Sequence, residues 1–208
     1  MTTQTRVFEP WVGANYWRYK GEVPRLLIVG DSHYSDDESA YIDPEFTIRV
    51  VRELAINQGI PFFEHIRQTA CGLAQPLDPE TFWNSVSFVN LLQEVLPTSS
   101  TVPSGDVIEK GWLALRRTVA DLKPDLMFVY SARAWDRGGT NSNQIERDGG
   151  LFQKHADLYG VGYYPRLAQS PLWAARFNHP RQPGCERSVW RIWAEHAFRQ
   201  VDQLSQKA

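Results

Sequence analysis

Side chains that could move protons or recognise hydrogen-bonding groups follow four short apolar segments of this 208-residue chain. In chain order they are Gly30-Asp31-Ser32-His33-Tyr34, Asn90, Ser131, and His179-Pro180-Arg181. A carboxylate and an imidazole can exchange protons or stabilise developing charge. A carboxamide presents a donor and an acceptor side by side. The chemistry that these residues suit is acid–base catalysis, or recognition of a ligand with a hydrogen-bonding edge.

The apolar segments that precede these residues have the composition of buried β-strands. They are Arg25–Gly30, Ser85–Asn90, Asp125–Tyr130 and Leu172–Asn178. The last is the weakest of the four predictions, because its central alanines would suit a helix equally well. Ligands of open parallel sheets bind outside the carboxyl ends of the strands, so the polar residues at these ends predict a pocket there.

Helical patterns alternate with the predicted strands. Apolar residues recur at three- and four-residue spacings in Phe46–Asn57, Ser104–Leu122 and Cys185–Leu204. Ser104 is a plausible N-cap for the second helix. This alternation predicts an α/β fold, a three-layer sandwich with a short, mainly parallel four-stranded sheet. No linker or repeat divides the chain, so we expect a single domain over residues 1–208.

The composition argues against a membrane protein, an exported protein and a cysteine-based metal site. No apolar stretch is long enough to cross a bilayer, and Met1–Pro10 lacks the pattern of a signal peptide. We therefore expect a cytoplasmic protein without a membrane partner. The two cysteines, Cys71 and Cys185, form no CxxC pair, so neither a metal site nor an organic cofactor is implied.

Charge is unevenly distributed along the chain. Acidic residues crowd residues 36–45, whereas six arginines lie between Arg166 and Arg199. The arginine-rich end could contact phosphate, although a solvated helix face also explains scattered arginines.

Several motifs, in order, resemble those of the uracil-DNA glycosylase-like superfamily, especially a bacterial and phage branch with a Gly-x-Ser-His-Tyr first motif. They are Trp11-Val-Gly-Ala-Asn15-Tyr16, Leu27-Ile-Val-Gly-Asp-Ser-His-Tyr34, Phe82-Trp83, Phe88-Val-Asn90-Leu-Leu-Gln93, Lys123-Pro-Asp125, and Asn178-His179-Pro180 with Trp190 downstream. The resemblance spans roughly residues 11 to 193. It implies a glycosylase-like fold and a nucleic acid or nucleotide as the partner.

The resemblance also implies roles for single residues. Asp31 would orient water and stabilise the sugar cation, and His179 would stabilise the departing base anion. Asn90 would pair with the base edge. Tyr34 would wall the pocket, and Phe46, or less favourably Phe62 or Phe63, would stack under the base. The remaining candidates for pocket or phosphate contacts are Gly30, Ser32, His33, Ser131, Pro180 and Arg181.

The motifs depart from the best-known uracil enzymes at three positions. Ser32 stands where those enzymes have a catalytic aspartate, His33 replaces a proline, and Arg181 replaces a serine. The four cysteines of the iron–sulfur branch are missing. Whether base excision is retained stays open, and a non-catalytic module that binds a nucleotide or nucleic acid is the main alternative.

A second alternative is a GDS-type esterase in which Ser32 of Gly30-Asp31-Ser32 is the nucleophile. Those enzymes also need an Asp-x-x-His motif, which the chain lacks. The Gly-x-Asn-Asp motif is missing as well, because Gly139-Thr140-Asn141 is followed by Ser142. This prediction is therefore the weakest of the three.

Overall fold

The computed structural model describes residues 7–18, 24–35, 40, 43–131, 153–154, 161–164, 172–177, 179–180 and 186–205. Its strands are β1 (Trp11–Val12), β2 (Leu26–Gly30), β3 (His33–Tyr34), β4 (Ser87–Asn90), β5 (Val95–Leu96), β6 (Leu126–Val129), β7 (Gln153–Lys154), β8 (Val161–Tyr164) and β9 (Leu172–Arg176). Its helices are α1 (Phe46–Val50), a π-helix (Val51–Asn57), α2 (Pro61–Ala70), α3 (Pro79–Ser85), α4 (Gly105–Leu122) and α5 (Arg187–Ser205).

A seven-stranded mixed sheet in the order β1-β4-β2-β6-β9-β8-β7 forms the centre of the fold. Its four central strands, β4, β2, β6 and β9, run parallel, and each coincides with one of the predicted strands. β1, β8 and β7 add antiparallel pairings at the two edges. The predicted α/β class is confirmed, but the sheet is larger than the four strands predicted and is not purely parallel.

The three additional strands of this sheet escaped prediction because they lack a continuous apolar run. β1 and β7 have only two residues each, and Gly162 interrupts the four residues of β8. The fourth predicted segment, Leu172–Asn178, whose alanines also suited a helix, contains the strand β9. Its alanines, Ala174 and Ala175, are fully buried on opposite faces of the sheet.

Helices cover both faces of the sheet. On one face, α1, the π-helix, α2, α3 and α5 pack against a cluster that includes Ile28, Phe88 and Phe128. On the other face, residues of α4 pack against a cluster that includes Val29 and Met127. The alternation of side chains along each buried strand supplies both clusters, so the chain has three layers.

The predicted helices differ from the observed ones mainly at residues 46–57. The predicted single helix is α1 followed by a π-helix, whose wider turns include a bond from Gln58 N to Glu53 O at 3.0 Å. α4 begins as expected, because Ser104 Oγ accepts from Val107 N at 3.4 Å. The prediction did not include α2 and α3, which begin at prolines and are only ten and seven residues long.

An ion pair fixes the amino-terminal ends of two central strands. The Arg25 guanidinium donates to both carboxylate oxygens of Asp125, at 3.0 and 2.8 Å, and the Arg25 backbone N–H donates to the same carboxylate at 2.8 Å. Bidentate pairs of this kind are geometrically specific. The pair therefore fixes the position of the start of β2 relative to the start of β6.

In the part of the chain that the structure describes, no helix is both long and apolar enough to cross a membrane.

We predict that Gly111→Ala destabilises the protein by about 1–3 kcal/mol, the usual cost of overpacking a core. A Cβ at Gly111 of α4 would overlap the backbone carbonyl of Leu91, so the helix or the loop after β4 must shift. Gly105→Ala in the same helix is the matched control, because a Cβ there meets no atom within 4 Å. Urea denaturation measures both variants. Equal stabilities of the two variants would contradict this view of the helix–loop contact.

Candidate functional site

A cavity of about 160 Å³ opens where β2 and β4 end, beside α1, the π-helix and α2. Its polar lining residues are Asp31, Ser32, His33, Tyr34, Asn90, Ser99 and His179. Its apolar lining residues are Phe46, Val50, Leu54, Ile60, Phe62, Phe63 and Phe88. The structure therefore brings together most of the residues that the sequence singled out, including the three candidate rings. It adds Val50, Leu54, Ile60, Phe88 and Ser99 to the lining.

Asp31 follows β2 and is held by two hydroxyl groups. Ser131 Oγ, at the end of β6, donates to Asp31 Oδ1 at 2.7 Å, and Ser32 Oγ donates to Asp31 Oδ2 at 3.3 Å. Ser131, predicted as a pocket or phosphate contact, is fully buried and is not among the residues that line the cavity. It instead fixes the orientation of the Asp31 carboxylate at the cavity.

Asn90 lies against Gly30, its parallel partner in register. A Cβ at Gly30 would overlap Asn90 Oδ1 and would come within 2.9 Å of Phe88 Cζ, so glycine makes room for the carboxamide. The backbone carbonyl of Asn90 accepts from Gln93 Nε2 at 3.1 Å. The Asn90 side chain itself forms no hydrogen bond within the described residues. Its carboxamide, on a residue only 6% exposed, is therefore available to a ligand in the cavity.

His33, the first residue of β3, connects this short strand to α1. Its Nε2 lies 2.8 Å from Thr47 Oγ1, and its ring packs edge-on against Phe46 and Phe8 at 4.9 and 5.4 Å between centroids. Burial lowers the pKa of His33 from 6.5 to about 4. The imidazole is therefore neutral at pH 7, and its principal contacts are structural.

His179 stacks on Phe62, the second residue of α2, with ring centroids 5.1 Å apart and planes 27° apart. Phe46 forms another part of the wall, and the Arg49 guanidinium lies 5.6 Å from the centre of its ring. Phe63 also lines the cavity, so the structure places all three candidate stacking rings there. His179 lines the same cavity as these rings.

The other predicted site residues are more peripheral. Tyr34 lines the cavity and is 38% exposed. Pro180 is partly buried in a turn next to His179, and Arg181 lies outside the described residues. Ser32 Oγ bonds to Asp31, and within the described chain it has no histidine partner. The arrangement gives no support to a serine nucleophile activated by a histidine.

Sequence reasoning missed Val50, Leu54, Ile60, Phe88 and Ser99 as lining residues. The apolar residues of 46–57 were assigned to the buried face of one regular helix, but Val50 of α1 and Leu54 of the π-helix also line the cavity. Ser99 lies between β5 and α4 and had no local signal. Phe62 had been only a secondary candidate, although its position directly after Pro61 at the start of α2 brings it to His179.

Protein families and curated proteins offer no match from which a function of the site could be transferred. No protein-family model matches the chain, and no curated protein is similar enough to count as a relative. In the described part of the chain, no group of three or more histidine, cysteine, aspartate or glutamate residues could hold a metal ion.

We predict that His33 makes the stability of the protein dependent on pH. Its folded-state pKa of about 4 lies below the ordinary value of 6.5, so the neutral form stabilises the fold above about pH 6.5. This contribution is lost as the pH falls from 6.5 to about 4, and at pH 4.5 the loss amounts to roughly 2–3 kcal/mol.

The measurement is the free energy of unfolding at pH 7 and pH 4.5 for the native protein and for His33→Gln. Burial also lowers the pKa of His65 to about 4, so part of the loss on acidification remains in the variant. The native protein should nevertheless lose more stability than the variant. Equal losses of stability in the native protein and the variant would show that burial does not lower the pKa of His33 in the folded protein.

We predict that Gly30 and Asn90 are energetically coupled. Gly30→Ala should cost about 1–3 kcal/mol because the new methyl group displaces the Asn90 side chain. In an Asn90→Ala background the same substitution should cost less by 0.5 kcal/mol or more, the usual range for residues in contact. A double-mutant cycle measured by urea denaturation tests this coupling, and additive effects would contradict it.

Proposed function

We propose that this protein is a uracil-DNA glycosylase-like protein that binds a nucleobase in the cavity and hydrolyses the N-glycosidic bond attached to it. The observation that carries the proposal is the Asn90 carboxamide. It faces an aromatic-walled cavity without a hydrogen-bond partner among the described residues, and Asp31 lines the same cavity. A buried amide in that position is best satisfied by a ligand with complementary polar atoms.

The size of the cavity supports a ligand with a single ring. Its volume is about 160 Å³, and an engineered cavity of about 150 Å³ in another protein binds benzene. Phe46, Phe62 and Phe63 line the cavity, and an aromatic lining suits a planar heterocycle. Asn90 would then recognise the polar edge of the base.

Cleavage of the N-glycosidic bond leaves positive charge on the sugar and negative charge on the base. The Asp31 carboxylate would stabilise the sugar cation and orient the attacking water, and His179 would donate a hydrogen bond to the departing base. Ser131 and Ser32 would hold the carboxylate in a fixed orientation, through the hydrogen bonds at 2.7 and 3.3 Å. Such preorganisation is a large source of rate enhancement in enzymes.

The parallel centre of the sheet and the order of the motifs support the assignment to this superfamily. The second candidate is a module on the same fold that binds a base without cleaving it. Ser32 favours this candidate, because the resemblance places a catalytic aspartate at this position and a serine hydroxyl cannot replace its carboxylate. The cytoplasmic location, the single domain and the nucleic acid partner stay predictions.

The test is a base-release assay on single- and double-stranded DNA and on nucleosides that carry uracil, hypoxanthine, xanthine or alkylated bases. We expect release by the native protein, and a decrease of about 100-fold or more in Asp31→Asn. Asn90→Ala should weaken base binding, and His179→Ala should slow release. Asp106→Asn, an exposed carboxylate in the first turn of α4, is the matched control and should leave release unchanged.

The same assay separates the two candidates. Base binding that requires Asn90, together with no release from any substrate, would identify a binding module. If the protein neither binds nor releases any of these bases, the proposal is overturned for them.

A further inference from the structure

The carboxamide of Gln93 connects the end of β4 to the amino-terminal part of the chain. Its Oε1 accepts hydrogen bonds from the backbone N–H groups of Val7 and Phe8, both at 3.1 Å. Its Nε2 donates to the backbone carbonyl of Asn90 at 3.1 Å. The two backbone donors require an acceptor, which fixes the orientation of the carboxamide. Gln93 is only 5% exposed, so loss of these bonds would leave buried polar groups unsatisfied.

The turn that Gln93 closes also holds the ends of two central strands at the cavity. The backbone N–H of Leu92 donates to the backbone carbonyl of Asp31 at 3.0 Å. Together with the bond from Gln93 to the Asn90 carbonyl, it fixes the backbone from which the Asn90 and Asp31 side chains extend. The positions of both polar groups therefore depend on residues 91–93, which are not among the lining residues of the cavity.

On its other side, the carboxamide holds a segment that supports the aromatic lining of the cavity. Phe8 is 1% exposed, and its ring centroid lies 5.4 Å from that of His33 and 6.2 Å from that of Phe46. His33 and Phe46 line the cavity, whereas Phe8 is not among its lining residues. The Glu9 N–H donates to the carbonyl of Pro44 at 2.7 Å, which fixes the same segment just before α1. The two lining rings therefore rest on a segment that the carboxamide holds.

A carboxamide makes both connections with one side chain. Its oxygen accepts two hydrogen bonds through its two lone pairs, while the adjacent NH₂ group donates. An ionised glutamate of the same length accepts but does not donate, and the methionine thioether is only a weak acceptor. Gln93 lies outside the cavity lining, so its polar groups act on the protein and not on a ligand.

We propose that Gln93 is a positioning residue for the base that binds in the cavity, and that it acts through Asn90 on one side and through Phe8 on the other. This inference rests on the proposed function, because it concerns base binding at the same site. Loss of the donor bond releases the backbone of Asn90. Loss of the acceptor bonds releases the segment that contacts His33 and Phe46. In both cases the pairing of the central strands is kept while the cavity loses its geometry.

The experiment is calorimetric titration with uracil, cytosine and hypoxanthine at pH 7.5. Gln93→Met keeps the approximate shape of the side chain and removes its strong hydrogen bonds. It should weaken binding about fivefold or more, which corresponds to at least one net hydrogen bond of ordinary strength. Phe8→Leu removes only the supporting ring and should weaken binding less. Circular dichroism verifies that each variant is folded under the conditions of the titration.

Ser87→Ala is the matched control. Ser87 Oγ donates to the backbone carbonyl of Trp11 at 2.6 Å, so this buried bond also joins β4 to the amino-terminal part of the chain. It lies at the opposite end of β4 from Asn90, and Ser87 is not among the lining residues of the cavity. The variant should lose stability and keep the native affinity for the bases.

Gln93→Glu supplies a rescue that depends on pH. A protonated carboxyl group accepts at one oxygen and donates from the other, as the carboxamide does, whereas the ionised form turns an acceptor toward the Asn90 carbonyl. Burial and that carbonyl favour the protonated form. The affinity of this variant, divided by the native affinity at the same pH, should therefore rise as the pH falls from 7.5 to 5.5. The division cancels the titration of groups that both proteins share, such as Asp31 and His179.

A double-mutant cycle on base affinity tests the connection through Asn90. Gln93→Met should cost less affinity in an Asn90→Ala background than in the native protein, because the side chain that it positions is already absent. Additive losses of affinity would show that Gln93 does not act through Asn90 and would overturn the inference.

The outcomes separate this inference from the proposed function. Weaker binding by Gln93→Met, native affinity in Ser87→Ala and recovery of Gln93→Glu at low pH would support both. Native affinity in Gln93→Met, equal weakening in Ser87→Ala, or no recovery of Gln93→Glu would overturn the inference and leave the proposed function standing. If Gln93→Met does not fold, Gln93→Glu and Phe8→Leu decide by the same criteria. Failure of the native protein to bind any of these bases would overturn the proposed function, and the inference with it.

Discussion

Parallel pairing of β2 with both β4 and β6 is the constraint on which the site depends. The pairing places Gly30 opposite Asn90, and it brings Ser131, which follows β6, to the Asp31 carboxylate. Residues about 60 and 100 positions apart in the chain therefore meet at one edge of the sheet. A shift of one residue in either register would turn these side chains to the other face.

The helical layer completes what the sheet begins. Thr47 in α1 holds His33, and Phe62 in α2 stacks on His179. Each of these contacts joins a segment beyond the end of a central strand to a helix on the same face of the sheet. The cavity is consequently a space between two layers, with hydrogen bonding on the sheet side and aliphatic contact on the helix side.

Much of this arrangement was predictable from residue patterns. The four central strands were visible as apolar segments bounded by breakers, and the rule that ligands bind at the carboxyl ends of strands pointed to Asp31, Asn90 and His179. β1 and β7 were not predictable because two residues carry too little pattern, and β8 was not because Gly162 interrupts its apolar residues. The π-helix was not predictable either, because its apolar spacing is compatible with an ordinary helix, and tertiary packing decides between the two.

The strands β2 and β6 are joined by polar side chains at both ends. Arg25 and Asp125 form an ion pair where the strands begin, and Asp31 and Ser131 form a hydrogen bond just beyond the point where they end. Sliding of one strand past the other would break both connections at once, whereas replacement of a residue in the helical wall would break neither. Such a division favours evolutionary change of ligand preference, because the wall that contacts the ligand can diverge while the polar groups keep their positions.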